Sequence, residues 1–421
     1  MSGSELVKSQ SESPWVEYGD LGINYDPVNL CKGFPDFPPP NFVVEALISA
    51  SKNPAAHQYT RQYGNPRLVK ILSKMYGQLI GRPIDPFKEI LITIGAYEAL
   101  LSAFLGLINP GDEVIIIQPF YDCYPPMVEM AKGIPVYVSL KPPADYEHRP
   151  VSSAEWKLDF QELASKFNER TKMIVVTTPN NPTGKVYSKE ELLEISKLCR
   201  KFGTIALMDE VYEWIIYDSA KHVRMASLPE MWPYTLTIGS IGKTFNVTGW
   251  KIGWVYGPAN LINPLQIIHS NTVHTCPTPI QEASAIALEI EFSRLGKPDS
   301  FWKQTSNELQ AKRDLIVNYL QSAGFNPTIP DGTYFIVASY QNIDWPSSKV
   351  NYTEKSPGDK FAKWLCIEKK LLTMPMSYFY ANPSKNEGKN WVRFCFFKTD
   401  STIHDAGRIL RQMKLKLNSK L

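Results

Sequence analysis

Short apolar runs alternate with longer amphipathic stretches along most of the chain. The runs are rich in β-branched residues and close at glycine, proline or acidic residues, a pattern typical of buried strands. The predicted strands are ILITIG (90–95), EVIIIQP (113–119), KMIVVTTP (172–179), TIALMDE (204–210) and TLTIGS (235–240). Strands that alternate with helices predict an α/β fold with a mostly parallel sheet covered on both faces.

Helical periodicity fills the intervals between these strands. One predicted helix begins near Phe42, and another, AYEALLSAFLGLI, follows directly on the strand at 90–95. A third, SKEELLEISKLCRKF (188–202), opens with a capping-box pattern from Ser188 to Glu191.

The pattern changes after about Pro279. Two long helical stretches lead into a strand at 333–340, a polar segment with a predicted surface loop at 347–359, a helix at 361–370 and the strand NWVRFCFF (390–397). This mixture predicts a smaller α+β domain. We therefore expect three parts, which are an N-terminal arm (1–42) that packs on the small domain and the substrate site, a large domain (43–298) and a small domain (299–421).

Composition narrows the classes of function. The 421 residues carry a net charge of +3, too small at this length to indicate a nucleic-acid or membrane partner. No apolar run approaches the ~18–20 residues of a membrane-spanning helix. The six cysteines form no C-x-x-C pair and the six histidines no H-E-x-x-H, so we predict free thiols and no metal site. The polar, acidic N-terminus matches neither a secretory signal nor an Arg-rich transit peptide, so we predict a cytoplasmic protein, with a mitochondrial pool left open.

The stretch SIGKTFNVTGWKIGW (240–254) raises a question about Lys243. A nucleotide-binding phosphate loop would need a glycine where Thr237 stands, so only half of that motif is present. A solvated surface charge is the common fate of a lysine. A covalent cofactor anchor is the third reading, and it depends on the rest of the chain.

Three further motifs stand at carboxyl ends of predicted strands, where open α/β sheets bind ligands. TTPNNPTGK (177–185) is typical of a tight turn, but an asparagine there can also donate a hydrogen bond to an anionic oxygen. In MDEVYEW (208–214), Asp209 either caps a helix or pairs with a buried cation, and Tyr212 lies nearby. GAYEAL (95–100) begins a helix whose N–H groups suit a phosphate.

Together these motifs supply what pyridoxal phosphate requires. Its phosphate needs a helix N-terminus and a cation, and its ring nitrogen needs a carboxylate. Its phenolic oxygen needs hydrogen-bond donors, and its aldehyde needs a lysine that can lose its proton.

In the same order, PNNPTGK, DEVY, S-x-G-K-T-F, T-G-W-K-x-G-W and VRFCF resemble the class I pyridoxal-phosphate aminotransferases. More closely, GFPDFPPP, QYTRQYGNPRL, GAYEALLSAF, PGDEVIIIQPFYDCYPPM and LPEMWPYTLTIGS resemble the kynurenine aminotransferase subfamily, also known as glutamine transaminase K or cysteine-S-conjugate β-lyase. The resemblance runs roughly from Ser13 to Lys414. It implies fold type I, with a seven-stranded, mostly parallel sheet in the large domain.

The resemblance also implies roles for residues around the cofactor ring. Lys243 would be the covalent attachment point and the proton shuttle. Asp209 would pair with the ring nitrogen, and Asn181 and Tyr212 would hold the phenolic oxygen. Phe120 would stack on the ring.

A second group of residues would bind the phosphate. Ser240, Lys251 and the backbone of Gly95 and Ala96 would contact it within one subunit. Tyr59 would reach it from the neighbouring subunit, so the resemblance implies a homodimer.

Substrate recognition would depend mainly on Arg393. A lone arginine in a strand is often a surface charge, but the resemblance makes Arg393 the bidentate clamp for the α-carboxylate. Gly33 and Asn181 would contact the same carboxylate. The side-chain pocket would be lined by Trp15, Tyr97 and His274, with Tyr97 also at the cofactor.

The chain departs from the subfamily near that pocket. It has Cys31-Lys32-Gly33 where Gly-Gln-Gly is usual, Ile241 where alanine is usual, and His274 where an aromatic residue is common. These departures leave the cofactor residues intact and bear on the choice of substrate.

The resemblance implies an aminotransferase that acts by a ping-pong mechanism. The amino donor would be an L-amino acid such as kynurenine, glutamine, methionine or an aromatic residue, and the acceptor a 2-oxo acid. Two alternatives stay open at this point, which are β-elimination from cysteine S-conjugates as the main activity and a catalytically silent relative used for binding or regulation.

Overall fold

The computed structural model describes residues 3–4, 6, 12–347 and 356–413. Part of the predicted surface loop at 347–359 lies outside these residues, as do the start of the predicted arm and the end of the predicted small domain.

The described chain alternates strands and helices as the sequence pattern predicts. The strands are β1 (Val28–Asn29), β2 (Ile90–Ile94), β3 (Glu113–Gln118), β4 (Ile134–Lys141), β5 (Val151–Ser152), β6 (Lys157–Leu158), β7 (Thr171–Thr177), β8 (Ile205–Asp209), β9 (Thr235–Ser240), β10 (Ile252–Tyr256), β11 (Asn326–Ile329), β12 (Phe335–Ser339), β13 (Leu371–Leu372), β14 (Met374–Pro375) and β15 (Trp391–Cys395). The helices are α1 (Pro14–Tyr25), α2 (Asn41–Ser51), α3 (Pro66–Ile80), α4 (Gly95–Leu107), α5 (Tyr124–Met130), α6 (Phe160–Lys166), α7 (Lys189–Phe202), α8 (Ile241–Thr244), α9 (Ala259–Thr272), α10 (Thr278–Phe292), α11 (Phe301–Ser322), α12 (Pro357–Lys369) and α13 (Asp400–Arg411).

The large sheet has the strand order β2-β10-β9-β8-β7-β3-β4-β6. β3, β4, β7, β8 and β9 pair in parallel, while β10 runs antiparallel to both of its neighbours. The predicted α/β class and mostly parallel sheet are confirmed. An eighth strand, the two-residue β6, pairs antiparallel with the end of β4 and extends the predicted seven.

Strand direction brings the predicted motifs together. β2 is antiparallel to β10, which is antiparallel to β9, so β2 runs in the same direction as the parallel strands. The carboxyl ends of β2, β7, β8 and β9 therefore share one edge of the sheet, and β10 begins at that edge. Apolar side chains fill these strands, and every residue of β3 and β8 is buried.

A second sheet has the order β14-β15-β12-β11-β5. The N-terminal segment joins it, because β1 pairs in parallel with β13 and the Cys395 N–H donates to the Leu30 carbonyl at 2.7 Å. β5 reaches this sheet from the middle of the chain. The division at 42/43 and 298/299 stays a prediction.

Local signals decide several helix ends. The predicted capping box is confirmed, since the Ser188 hydroxyl accepts from the Glu191 N–H and the Glu191 carboxylate accepts from the Ser188 N–H. Gly203 ends that helix in the left-handed conformation, at φ 68°. No helix within the described ranges is both long and apolar enough to cross a membrane.

Candidate active site

A cavity of about 350 Å³ opens at the carboxyl edge of the large sheet, next to β15. Twelve residues predicted for the site line this cavity: Trp15, Gly33, Gly95, Ala96, Tyr97, Asn181, Asp209, Tyr212, Ser240, Lys243, Lys251 and Arg393. They come from the N-terminal segment, four strand ends and the second sheet, so the fold gathers motifs that are far apart in sequence.

Lys243 lies in the cavity wall on the short helix α8, which follows β9. Its Nζ donates to the Gly33 carbonyl at 3.0 Å and to the Tyr334 hydroxyl at 2.8 Å. Burial, together with the nearby positive charges of Arg393 and Lys251, lowers the pKa of this amine from 10.5 to about 8. A neutral amine is the form that can attack an aldehyde or accept a proton, so the site holds Lys243 close to its reactive state.

Asp209 ends β8 and is buried beneath the cavity. The Tyr124 hydroxyl donates to its Oδ2 at 2.5 Å, and burial raises the pKa of the carboxyl. No basic group of the described residues lies within salt-bridge distance of it. A buried carboxylate without a cation is costly, so this position suits a ligand that brings a positive charge.

An anion site stands at the start of α4. Gly95 begins the helix at φ +66°, and a Cβ at Gly95 would lie 3.2 Å from Lys251 Nζ. The positive end of the helix dipole and a lysine ammonium are thus held side by side. β10 packs closely here, since a Cβ at Gly253 would lie 2.5 Å from the carbonyl carbon of Gly95. Ser240 lines the same part of the sheet edge, opposite Gly253 in the strand pairing.

Arg393 is held rigidly on β15 and is 1% exposed. Its Nη1 donates to Asn181 Oδ1 at 2.8 Å and its Nη2 to the Cys31 carbonyl at 3.0 Å. The guanidinium carbon lies 4.0 Å from the centroid of the Phe335 ring and 4.9 Å from that of Phe379. Its Nε has no hydrogen-bond partner, and no carboxylate of the described residues forms a salt bridge with the guanidinium. Arg393 is therefore set to bind an anion.

The indole of Trp15 packs beside this guanidinium. Trp15 Nε1 donates to both carboxylate oxygens of Asp122 at 3.1 Å, and the Arg393 guanidinium carbon lies 5.3 Å from the indole ring. Helix α1 thus supplies a wall of the same cavity.

The prediction that Phe120 stacks on the cofactor is wrong. Phe120 is buried and stacks on Tyr137, with ring centroids 5.8 Å apart, and it does not line the cavity. The next residue, Tyr121, lines it and meets the ring of Tyr97 edge-on at 6.1 Å. β3 ends at Gln118, so the alternation of the strand does not determine which of the following residues faces the cavity.

The prediction that His274 lines the pocket is not met within this chain. His274 is exposed and its Nδ1 lies 2.9 Å from Gln62 Nε2, away from the cavity. Tyr59 is 84% exposed, and its ring lies 5.6 Å from the His274 ring. The two side chains form one exposed group outside this subunit's own site.

Two residues that hydrogen-bond to cavity side chains, Tyr334 and Tyr124, carry no clear signal in the sequence. Tyr334 hydrogen-bonds Lys243 and the Gly33 carbonyl, and Tyr124 hydrogen-bonds Asp209. Tyr334 is 91 positions from Lys243, so only packing of the two sheets reveals the contact. Tyr124 had a partial signal, because it stands in the aromatic run that follows β3.

Two buried clusters of metal-ligating residue types lie elsewhere. Glu98, His269 and Cys276 form one, with His269 Nδ1 2.8 Å from Glu98 Oε1, and Glu210, Glu213 and His222 form the other. Neither cluster lines the cavity.

The unmatched charges of the cavity test the fit of pyridoxal phosphate. The Asp209 carboxylate would pair with a cationic ring atom. The N-terminus of α4 and Lys251 would bind a phosphate, and Arg393 would bind the carboxylate of a second molecule. Lys243 stands among them with a depressed pKa. The residues therefore fit the group.

Comparison with known proteins finds relatives that match nearly the whole chain. The family model described as "Aminotransferase class I and II" matches residues 25–409. The human kynurenine–oxoglutarate transaminase 3 is 46% identical over 411 residues, which are 97% of this chain and 90% of the relative. The human kynurenine–oxoglutarate transaminase 1 is 45% identical over 407 residues, 96% of each chain.

Solved structures share the whole fold. Bna3p of Saccharomyces cerevisiae, a proposed kynurenine aminotransferase, superposes with a TM-score of 0.92 at 29% identity, covering 98% of both chains. YbdL of Escherichia coli, with an identified methionine aminotransferase function, has a TM-score of 0.85 at 27% identity, covering 98% of this chain and all of its own.

Proposed function

This chain belongs to the class I and II aminotransferases, and from that premise we propose that it binds pyridoxal 5′-phosphate and uses L-kynurenine or a similar L-amino acid as the amino donor. The acceptor is a 2-oxo acid. The observation that carries the proposal is that Lys243, with its lowered pKa, and Arg393, without a carboxylate partner, line the same cavity.

The described residues account for each part of the bound cofactor. Asp209 would hold the ring nitrogen protonated, and Lys251 with the α4 terminus would bind the phosphate. Asn181 Oδ1 accepts from Arg393, which leaves its amide nitrogen to donate to the phenolic oxygen. Tyr121 replaces Phe120 as the aromatic side chain at the ring.

When bound, pyridoxal phosphate supplies the aldehyde that takes up an amino group and the ring that withdraws electrons from Cα. Arg393 binds the α-carboxylate and so fixes which substrate bonds face Lys243. Lys243 Nζ takes the proton from Cα and later returns a proton, acting as general base and acid. The aromatic walls at Tyr121 and Phe335 limit the water that reaches this proton transfer.

A spectroscopic assay with product analysis tests the proposed function. The purified holoenzyme should be yellow, and its visible absorption should change when L-kynurenine is added alone. Adding a 2-oxo acid should restore the original spectrum and yield the matching L-amino acid. D-kynurenine is the matched control, because Arg393 and Lys243 select one face of Cα.

A spectrum that stays unchanged across a panel of L-amino acids, including glutamine, methionine and phenylalanine, would contradict the proposal. The same assay tests β-elimination from cysteine S-conjugates. Formation of pyruvate and ammonia in excess of transfer to the oxo acid would make that activity the main one.

The exposed group of Tyr59 and His274 supports a homodimer in which each subunit completes the other's site. Neither side chain reaches the cavity of its own chain. The centroids of the Tyr59 and His274 rings lie 5.6 Å apart, so a surface that contacts Tyr59 would also lie close to His274. We place both at the partner's cavity, with Tyr59 at the phosphate.

Mixing two inactive variants tests this arrangement. Tyr59→Ala and Lys243→Ala subunits, dissociated and reassembled together at limiting cofactor, should regain about a quarter of wild-type activity, because half of the dimers carry one intact site. Each variant reassembled alone is the control. No gain on mixing would contradict a contribution from the partner subunit's Tyr59.

We also place the protein in the cytoplasm. All six cysteines are buried, unpaired thiols, which suits a reducing compartment.

A further inference from the structure

One cation of the cavity has no role in the function proposed above. The charged side chains that line the cavity are Lys32, Asp209, Lys243, Lys251 and Arg393. The ring nitrogen, the aldehyde, the phosphate and the α-carboxylate match four of them. The unmatched one is Lys32, a half-buried residue that also departs from the glutamine usual in the subfamily.

The backbone of Lys32 is fixed by local hydrogen bonds. Its N–H donates to Asn29 Oδ1 at 3.3 Å, and its carbonyl accepts from the Phe34 N–H at 3.0 Å. Only the side chain therefore has freedom to adjust.

The residues on either side tie Lys32 to the substrate-handling groups. The Cys31 carbonyl accepts from Arg393 at 3.0 Å, and the Gly33 carbonyl accepts from Lys243 at 3.0 Å. Lys32 thus stands between the group that binds the α-carboxylate and the group that moves the Cα proton.

The ammonium of Lys32 lies beside helix α1, which also supplies the cavity wall at Trp15. A Cβ at Gly19 would lie 3.5 Å from Lys32 Nζ, and Gly19 is one turn beyond Trp15 on α1. The Trp15 ring is the part of that wall that meets the Arg393 guanidinium.

Lys32 also lacks the anionic partner that other lysines have. Within the described ranges no carboxylate lies within 4.0 Å of its Nζ. By contrast Lys185, Lys312 and Lys363 each contact a carboxylate, at 2.9, 2.9 and 2.6 Å. Lys32 lines the cavity, and a half-buried ammonium without an anionic partner is set to bind an anion.

We propose that Lys32 binds the terminal carboxylate of a dicarboxylic substrate whose α-carboxylate is held by Arg393. This inference rests on the proposed function and assigns a residue to the second carboxylate of a 2-oxo dicarboxylic acid or of its amino-acid counterpart. A neutral or aromatic donor leaves Lys32 solvated, so the residue acts on one half of the transfer cycle more than on the other.

Acceptor kinetics with a charge-deleted holoenzyme test the proposal. With one amino donor fixed, kcat/KM is measured for 2-oxoglutarate and for its terminal amide, 2-oxoglutaramate. Lys32→Met should lower the value for the dicarboxylate by about 10- to 100-fold and change that for the amide by less than about 3-fold. Lys32→Arg should retain most of the preference, and Lys52→Met, an exposed lysine outside the cavity, should change neither value.

Calorimetry with unreactive analogues separates binding from turnover. Lys32→Met should weaken glutarate by about 10-fold or more and leave its monoamide unchanged. Equal losses for both members of a pair, or no loss for the dicarboxylate, would overturn the inference. If the wild-type holoenzyme transferred no amino group to any acceptor, the proposed function would fail, and the glutarate titration would still decide the role of Lys32.

Discussion

Replacement of Lys243 by alanine is expected to lower kcat by at least about 10⁴-fold, whatever amino donor is used. The substitution removes both the proposed covalent attachment point and the amine that donates to the Gly33 carbonyl and the Tyr334 hydroxyl. The other residues proposed to hold the cofactor remain, so the variant should still bind pyridoxal phosphate without a covalent bond. Single-turnover absorbance changes measure the loss, and a small added amine should restore part of the rate by carrying the Cα proton.

Lys251→Ala is the matched control for that prediction, because it deletes another lysine from the same cavity. It should weaken cofactor affinity and recover much of its kcat at saturating cofactor. If Lys243→Ala also recovered at saturating cofactor, Lys243 would be a binding residue and not the proton carrier.

The lowered pKa of Lys243 gives the same prediction a pH dependence. With a pKa of about 8, about a tenth of the amine is neutral at pH 7, against about three parts in ten thousand for an ordinary lysine. Reattachment of the cofactor to the apoprotein should therefore speed up as the pH rises through about 8 and then level off. A rate still rising steeply at pH 10 would show that burial does not depress this pKa.

The sequence could locate the strand-end motifs because the carboxyl ends of parallel strands lie at the same edge of a sheet. Asp209 follows a buried apolar run and Lys243 follows the next strand, so a parallel sheet had to bring them together. The register of β8 against β9, with Asp209 opposite Ile238, fulfils that expectation.

Other features of the site could not be predicted from the sequence, for physical reasons. The choice between Phe120 and Tyr121 depends on a turn that follows the end of β3, where strand alternation no longer applies. The contact of Tyr334 with Lys243 forms only when two sheets pack together. Tyr59 and His274 point away from their own cavity, and a single chain cannot show what they meet.

Replacement of Arg393 by alanine is expected to raise the KM of both the amino acid and the 2-oxo acid by about 10²- to 10³-fold. In the proposed cycle one guanidinium would serve both substrates, because each would present its α-carboxylate at the same place in turn. The Phe335 and Phe379 rings hold the guanidinium plane, and the free Nε provides an additional donor. Steady-state kinetics at saturating cofactor measure the change for each substrate separately.

Arg393→Lys distinguishes charge from geometry, since lysine keeps the positive charge but lacks the planar fork that matches a carboxylate. It should recover less than half of the lost binding free energy. The decarboxylated amine of the donor supplies a second control, because the preference for the amino acid over this amine should shrink in both variants.

Arg393 also donates to Asn181 and to the Cys31 carbonyl, so cofactor affinity and thermal unfolding must be measured alongside. A variant that holds the cofactor normally and keeps an unchanged KM would show that the α-carboxylate binds elsewhere, and the position assigned to Lys32 would then lose its reference point.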